Sequence, residues 1–130
     1  MKDYDEVVSV WKESGLRKSP GDSRDEIRIK IRRDPELFLV AEDNDGKIIG
    51  TLLGGWDGRR GWIHHLGVIP SHQRSGVATK LVKEVERRMK RKGVVKVNAL
   101  VYESNDRSLK FFEKMGYELD RTLLKHGKEL

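Results

Sequence analysis

The chain has 130 residues, of which 37% are charged and 36% are hydrophobic, and its formal net charge is +6. This length fits a single domain over residues 1–130 with its own hydrophobic core. The absence of cysteine excludes disulfides, thiol catalysis and cysteine-ligated metals. No apolar run approaches the roughly 20 residues that span a bilayer, and the N-terminus lacks a signal-peptide core. We therefore expect a cytoplasmic protein with no membrane contact.

The first half of the chain predicts two helices followed by a three-stranded meander. An apolar stripe that includes Val7 and Trp11 predicts a helix over residues 4–14. Ser23 and Glu26 have the spacing of a capping box, which predicts the start of a second helix. Apolar runs separated by turn residues then predict three strands, over residues 37–41, 47–56 and 61–69.

The second half alternates helices and strands. Leu81, Val85 and Met89 recur every four residues and mark the buried face of a helix that ends at Gly93. A strongly apolar segment predicts a central strand, buried on both faces, over residues 94–101. Asn105 or Asp106 caps a last helix, and a final strand is predicted over residues 117–124.

The loop between the third strand and the long helix has the features of an anion site. The strand breaks at Pro70, and Gln73-x-x-Gly76-x-Ala78 stands where the helix begins. Unpaired backbone N–H groups and the positive end of the helix dipole favour an anion there, and small residues let it approach the backbone. The sequence is not a Walker loop, because the Gly-Lys-Ser/Thr ending is missing.

This loop resembles the acetyl-CoA pyrophosphate site of the GNAT superfamily of N-acetyltransferases, whose signature is Gln/Arg-x-x-Gly-x-Gly/Ala. The segment Asn105-Asp-Arg-Ser-Leu-Lys-Phe-Phe-Glu-Lys-Met-Gly-Tyr117 is similar to a second family motif, Asn-x-x-Ala-x-x-x-Tyr-x-x-x-Gly-Phe. The order of elements matches the family from its first helix onward. The resemblance implies an α/β (α+β) GNAT fold, with a mixed, mostly antiparallel twisted sheet and about four flanking helices. The strand with which the family usually opens is missing here.

The resemblance also implies how acetyl-CoA, as a co-substrate, is held without any metal. Backbone groups of Leu66, Gly67 and Val68 pair with the pantetheine amides, where the strand separates from the next one. The pyrophosphate is implied to lie on Gln73, Arg74, Ser75, Gly76, Val77, Ala78 and Thr79. Asn105 is implied to hydrogen-bond the pantetheine arm, with Ser108 and either Phe111 or Phe112 beside it. Lys114 is implied to reach the adenosine phosphates.

The implied chemistry is attack of an amine on the acetyl thioester in a ternary complex. The backbone N–H of Val68 polarises the thioester carbonyl. In many family members a tyrosine in the last helix protonates the departing thiolate, but the matching residue here is Phe112. Either Tyr102 supplies the proton, or coenzyme A leaves as the thiolate, which a thiol pKa near 8.5 permits.

The general base is left open between two neighbouring histidines. His64 and His65 lie on the strand before the cofactor segment, and alternation along a strand predicts that one of them faces the substrate. In related ribosomal-protein acetyltransferases the base is a glutamate, at the position of Leu100 here. Weaker alternatives are Glu42, Asp57 and Glu103. No metal is expected at the histidine pair, because neighbouring strand residues diverge and no third ligand is evident.

The leading function is therefore an acetyl-CoA-dependent N-acetyltransferase acting on a primary amine, which is a protein N-terminus, a lysine or a small amine. The alternative is an acetyl-CoA sensor or a non-catalytic subunit. The basic run Arg87–Lys92 is read as a solvated helix end rather than as a nucleic-acid site. A homodimer is possible through an unpaired sheet edge or the C-terminal segment. Trp56 and Trp62 are read as packing residues or as a ligand-facing wall.

Overall fold

A computed structural model of the chain describes residues 3–130, in four helices, four strands and one short 3-10 helix. The helices and strands, numbered in chain order, are α1 (Tyr4–Glu13), α2 (Arg24–Arg33), β1 (Phe38–Glu42), β2 (Ile48–Trp56), β3 (Gly61–Val68), α3 (Val77–Arg91), β4 (Val97–Ala99) and α4 (Asp106–Lys114). The 3-10 helix, Pro70–His72, lies between β3 and α3.

The four strands form one sheet in the order β1-β2-β3-β4. The pairs β1/β2 and β2/β3 are antiparallel, and β3 and β4 are parallel. The predicted fold class is thereby confirmed, with a mixed, mostly antiparallel sheet and four flanking helices. Asp3 alone among the described residues precedes α1, so the absence of the family's first strand stays a prediction.

Each face of the sheet is covered by its own pair of helices. One hydrophobic cluster joins Trp11 of α1 and Ile27 of α2 to residues of β2, and a second joins Val85 of α3 and Phe112 of α4 to the opposite face. We call these the α1/α2 face and the α3/α4 face. Helix α3 lies very close to the sheet at Gly61. A Cβ added there would be only 2.5 Å from Met89 Sδ, so a side chain would not fit without movement.

The predicted helix ends are confirmed in detail. Ser23 and Glu26 form both hydrogen bonds of the capping box at the start of α2. The side chain of Asn105 accepts a hydrogen bond from Ser108 N and caps α4. A glycine with positive φ follows each of the last two helices, Gly93 after α3 and Gly116 after α4.

Two predicted strands are corrected by the structure. The segment 94–101 forms only the short strand β4 at the edge of the sheet, and Val95 is 93% exposed, so it is neither central nor buried on both faces. Residues 117–124 form no strand. Asp120 Oδ1 accepts hydrogen bonds from the backbone and the hydroxyl of Thr122, and this local turn replaces an extended backbone. Without that strand, β4 has no neighbour on its outer side among the described residues, and the expected homodimer stays a prediction.

Candidate active site

The two histidines of β3 lie at a β-bulge. His64 pairs with Leu53 on β2 whereas Gly67 pairs with Thr51, so β3 carries one more residue than β2 between these two pairs. His65 adopts the left-handed backbone conformation at this point, with φ +48°. Because of the extra residue, the side chains of His64 and His65 do not alternate between the two faces of the sheet. The expectation that neighbouring histidines face opposite sides is therefore wrong.

Both histidine side chains lie on the α1/α2 face of the sheet. The ring of His65 packs on the ring of Trp11 from α1, with 4.7 Å between their centroids. His64 pairs with Leu53 of β2, and Gly55 lies on the same face of that strand two residues further on. A Cβ at Gly55 would be 3.5 Å from Lys30 Nζ of α2, so this face is the α1/α2 face. The sheet thus presents two neighbouring imidazoles to the region between β3 and α2.

The two imidazoles differ in their partners. His65 Nε2 lies 2.8 Å from Oδ2 of Asp22, which belongs to the loop between α1 and α2. Burial lowers the pKa of His64 below its usual value of 6.5, and electrostatic repulsion from the neighbouring His65, Lys30 and Lys125 lowers it further. Because the pKa of His64 is lowered, its imidazole is neutral near pH 7, which is the form that accepts a proton.

The pairing of β3 with β4 ends beside the histidines. The last backbone hydrogen bond between these segments runs from Leu100 N to Ile63 O, and no residue after Leu100 pairs with β3 in the described part of the chain. The predicted separation of the two strands is therefore present. Among the described residues, no strand pairs with Leu66, Gly67 and Val68 on the side away from β2.

Gln73 braces the turn that follows this edge. Its side-chain amide donates a hydrogen bond of 2.9 Å to the backbone carbonyl of Val68. The side chain therefore fixes the start of the loop, and the carbonyl of Val68 is already occupied. The N–H group of Val68, which the resemblance assigns to the thioester carbonyl, is not involved in this bond.

The start of α3 has the geometry of an anion site. Gly76 is the N-cap residue, with φ +85°, and its position carries no side-chain cap. The first backbone N–H groups of α3, from Val77, Ala78 and Thr79, are consequently left without intrahelical partners. A Cβ at Gly76 would meet no atom within 4 Å, so the space in front of the helix end is open.

The neighbouring side chains suit an anion as well. Arg74 has φ +67° and an exposed side chain, and no ion-pair partner is found for it among the described residues. Ser75 is turned inward, because its hydroxyl donates to the carbonyl of His72 within the loop. The exposed charge of Arg74, rather than the hydroxyl of Ser75, is thus free of a partner within the described loop.

Helix α4 offers fewer ligand contacts than the resemblance implies. Asn105 and Ser108 are half-buried and bonded to each other in the cap, which leaves the amide nitrogen of Asn105 to donate. Phe112 is 6% exposed and packs edge-on against Phe111 and Tyr117, so it belongs to the core. Phe111 is half-buried and Lys114 is exposed.

The candidate acids and the weaker candidate bases are distributed around the sheet. Tyr102 is 63% exposed just after β4. Asp57 is a poor base, because hydrogen bonds from the backbone of Arg60 and Arg59 and from Trp62 lower its pKa to about 2. Glu42 is exposed on β1, at the far edge of the sheet, and Glu103 is exposed after β4.

The two tryptophans of the hairpin have structural partners. Trp56 packs against the core on the α3/α4 face, with Lys92 Nζ 5.3 Å from its ring centroid. Trp62 donates a hydrogen bond to Asp57 and precedes His64 by two residues on the α1/α2 face. The packing interpretation therefore accounts for Trp56, whereas Trp62 also borders the histidines.

The basic end of α3 is held by ion pairs. Arg87 and Arg88 both contact the carboxylate of Glu84, and Lys92 pairs with Glu36. Within the described residues, no group of three or more His, Asp or Glu side chains could hold a metal ion. None of the helices described is long and apolar enough to cross a bilayer.

Sequence reasoning missed Asp22, the partner of His65. Asp22 precedes the capping box of α2 by one residue, and its neighbours Pro20 and Gly21 are typical of a turn. Forty-three positions separate it from His65. No local signal in the sequence indicates that this aspartate is buried or that it reaches β3.

Known proteins share the sequence pattern and the fold of this chain. The chain matches the acetyltransferase (GNAT) family over residues 4–117. An acetyltransferase of Sodalis glossinidius is 36% identical over 128 residues, covering 98% of this chain and 89% of that protein. An acetyltransferase of Yersinia pseudotuberculosis is 39% identical over 122 residues, with coverages of 94% and 86%. The PaiA N-acetyltransferase of Thermoplasma acidophilum, solved with coenzyme A, has a TM-score of 0.81 at 21% identity, covering 92% of this chain and 86% of that one.

The chain belongs to the acetyltransferase (GNAT) family. It is accordingly an acyltransferase of the class that takes its acetyl group from acetyl-CoA. The predicted family and enzyme class are confirmed.

Proposed function

We propose that the protein transfers an acetyl group from acetyl-CoA to a primary amine by direct attack in a ternary complex. The observation that carries this proposal is the uncapped start of α3 at Gly76, beside the unpaired edge of β3. The first feature fits a pyrophosphate, and the second fits an extended chain of amides. In this proposal the thioester end of acetyl-CoA lies near the bulge that carries His64 and His65.

The proposed chemistry uses groups of β3 on both sides of the reacting carbon. An imidazole of the histidine pair takes a proton from the ammonium group of the acceptor, and the neutral amine attacks the thioester carbonyl. The N–H of Val68 donates to the oxygen that becomes negative. A carbon–nitrogen bond forms, the carbon–sulfur bond breaks, and the second amine proton goes to water.

The leaving thiolate needs no acid from α4. Phe112 has no proton to donate and is buried in the core. Coenzyme A leaves as the thiolate in this proposal, because a thiol pKa near 8.5 makes it an adequate leaving group. Tyr102 is the alternative donor, and a Tyr102→Phe variant with unchanged kcat would support the thiolate route.

Release of free coenzyme A tests the proposal directly. The purified protein is incubated with acetyl-CoA and a panel of amines comprising N-terminal peptides, peptides with an internal lysine, polyamines and aminoglycosides. A thiol reagent detects coenzyme A, and mass spectrometry identifies the N-acetyl product. An acceptor that gains one acetyl group per coenzyme A released supports an N-acetyltransferase. Tight binding of acetyl-CoA without turnover of any amine would favour the alternative function, a sensor or non-catalytic subunit.

A further inference from the structure

Asp22 is a buried carboxylate whose partners tie two distant parts of the fold together. It is 4% exposed, and its Oδ2 is within hydrogen-bond distance of the backbone N of Ser19 (2.8 Å), the hydroxyl of Ser19 (3.0 Å) and His65 Nε2 (2.8 Å). The carbonyl of Asp22 also accepts a bond of 2.7 Å from the hydroxyl of Tyr4 on α1. Burying a carboxylate is unfavourable unless hydrogen bonds compensate for the loss of water, and these donors provide that compensation for Asp22.

This arrangement selects one tautomer of the His65 ring. A carboxylate only accepts hydrogen bonds, so the proton of the neutral imidazole lies on Nε2, which points at Asp22. Nδ1 then carries the lone pair. Among the described residues no buried side-chain nitrogen or oxygen lacks a partner, and no protein partner is found for Nδ1. The basic nitrogen of His65 is therefore not completely buried, and 17% of the side chain is exposed.

The backbone and ring of His65 are fixed from two further directions. Its carbonyl accepts a hydrogen bond of 3.3 Å from the hydroxyl of Thr51, and its ring packs on Trp11. The φ of +48° is uncommon for a residue with a side chain, and the surrounding contacts must hold it. Among residues 3–130, His64 beside it has no comparable carboxylate partner. An uncommon backbone conformation and a buried carboxylate thus both fix the orientation of the His65 imidazole.

We propose that Asp22 is a positioning residue that makes His65, through Nδ1, the general base of the acetyl transfer. This inference rests on the proposed function and chooses between the two histidines. In the reaction Nδ1 takes the proton of the acceptor ammonium group, and the resulting imidazolium is stabilised by the carboxylate of Asp22 through Nε2–H. The proton later passes from Nδ1 to water or to the coenzyme A thiolate, which restores the neutral ring.

The test compares four variants, Asp22→Asn, His65→Gln, His64→Gln and Asp25→Asn. Asp25 provides the matched control, because its side chain is 87% exposed on the first turn of α2 and the change in charge is the same. For each variant, kcat and KM are measured with the best amine, and the Kd of acetyl-CoA is measured by calorimetry. Long-range 1H–15N NMR of the labelled protein reports which ring nitrogen of His65 carries the proton.

We expect His65→Gln to lower kcat by about 10²- to 10⁴-fold, the usual contribution of a general base, and Asp22→Asn to lower it by at least about 10-fold. The acetyl-CoA Kd of both variants should stay within about 3-fold of the parent's, and His64→Gln should lose less kcat than His65→Gln. NMR should show the proton on Nε2 in the parent and a mixture of tautomers or the other tautomer in Asp22→Asn, because an asparagine amide can donate to Nε2.

Three results would overturn the inference. One is a proton on Nδ1 of His65 in the folded parent protein. Another is a larger loss of kcat in His64→Gln than in His65→Gln, and the third is an unchanged kcat in Asp22→Asn. Absence of turnover by a parent that binds acetyl-CoA contradicts the proposed function instead. The tautomer of His65 in the parent and in Asp22→Asn then decides whether Asp22 orients the ring.

Discussion

Trp11 on α1 donates a hydrogen bond of 3.1 Å from its indole nitrogen to the hydroxyl of Thr51 on β2. Both residues are almost completely buried, and the same hydroxyl donates to the carbonyl of His65 at the bulge of β3. A single hydroxyl thus joins α1, β2 and β3 behind the candidate base. This contact lies directly at the bulge, which places both histidines on one face.

Replacement of Thr51 by valine should destabilise the fold. Thr51→Val leaves the Trp11 N–H and the carbonyl of His65 without this partner, and a buried polar group left unpaired costs about 1–3 kcal/mol. Thr51→Ser is the control, because it keeps the hydroxyl and loses one methyl group, worth about 0.8 kcal/mol. Urea unfolding gives the free energy of each variant. A Thr51→Val protein at least as stable as Thr51→Ser would show that the hydroxyl makes no net contribution.

Two adjacent glycines of β2 should respond differently to alanine. A Cβ at Gly54 would lie 2.7 Å from the backbone oxygen of Leu37, whereas a Cβ at Gly55 would meet only the flexible end of Lys30, at 3.5 Å. We expect Gly54→Ala to lower the free energy of unfolding by about 1–3 kcal/mol, as overpacking does. Gly55→Ala should remain within about 0.5 kcal/mol of the parent. Equal effects in thermal or urea unfolding would contradict the close packing described for Gly54.

His64 should make stability depend on pH on the acid side of neutrality. Its pKa is lowered in the folded protein, mainly by burial, whereas an unfolded histidine titrates near 6.5. Between the lowered folded pKa and about 6.5 the unfolded chain binds more protons, so stability rises with pH across this window and is lost as pH falls through it.

The measurement is the urea midpoint of the parent and His64→Gln from about pH 7.5 to about pH 5. The acid loss of stability should be smaller in His64→Gln. His126→Gln, which changes an exposed histidine of the C-terminal segment, should keep the parent's pH dependence. If His64→Gln also follows the parent curve, the lowered pKa of His64 is contradicted.

The elements that the sequence predicted well are those whose signals are local. The capping box at Ser23, the turns of the meander and the four-residue spacing along α3 each lie within a few positions, and the structure confirms them. The final strand failed for a local reason as well. Asp120 and Thr122 form a side-chain turn in a segment that hydrophobic alternation alone would make a strand.

The candidate site was predicted less completely, because its geometry depends on contacts between distant residues. The Gln73-to-Ala78 motif correctly placed an open helix start with positive backbone charge. The bulge at His65 could not be predicted, since it arises from the register of β2 against β3. The motif assigned Phe112 to the cofactor, but the structure shows its ring packed against Tyr117 in the core.

Calorimetric titration with acetyl-CoA tests the central claim most directly, on the parent, Gly76→Glu and Gly46→Glu. Gly46 lies in the turn between β1 and β2 with φ +81°, close to the +85° of Gly76, and both positions are open around the missing Cβ. The two variants therefore introduce the same charge and the same backbone strain, but only Gly76→Glu places a carboxylate in front of α3.

We expect the parent and Gly46→Glu to bind acetyl-CoA with Kd values below about 1 mM, and Gly76→Glu to lose binding by at least about 100-fold. Binding that Gly76→Glu retains at the parent's affinity would move the cofactor away from the start of α3. No binding by a folded parent would contradict the account as a whole.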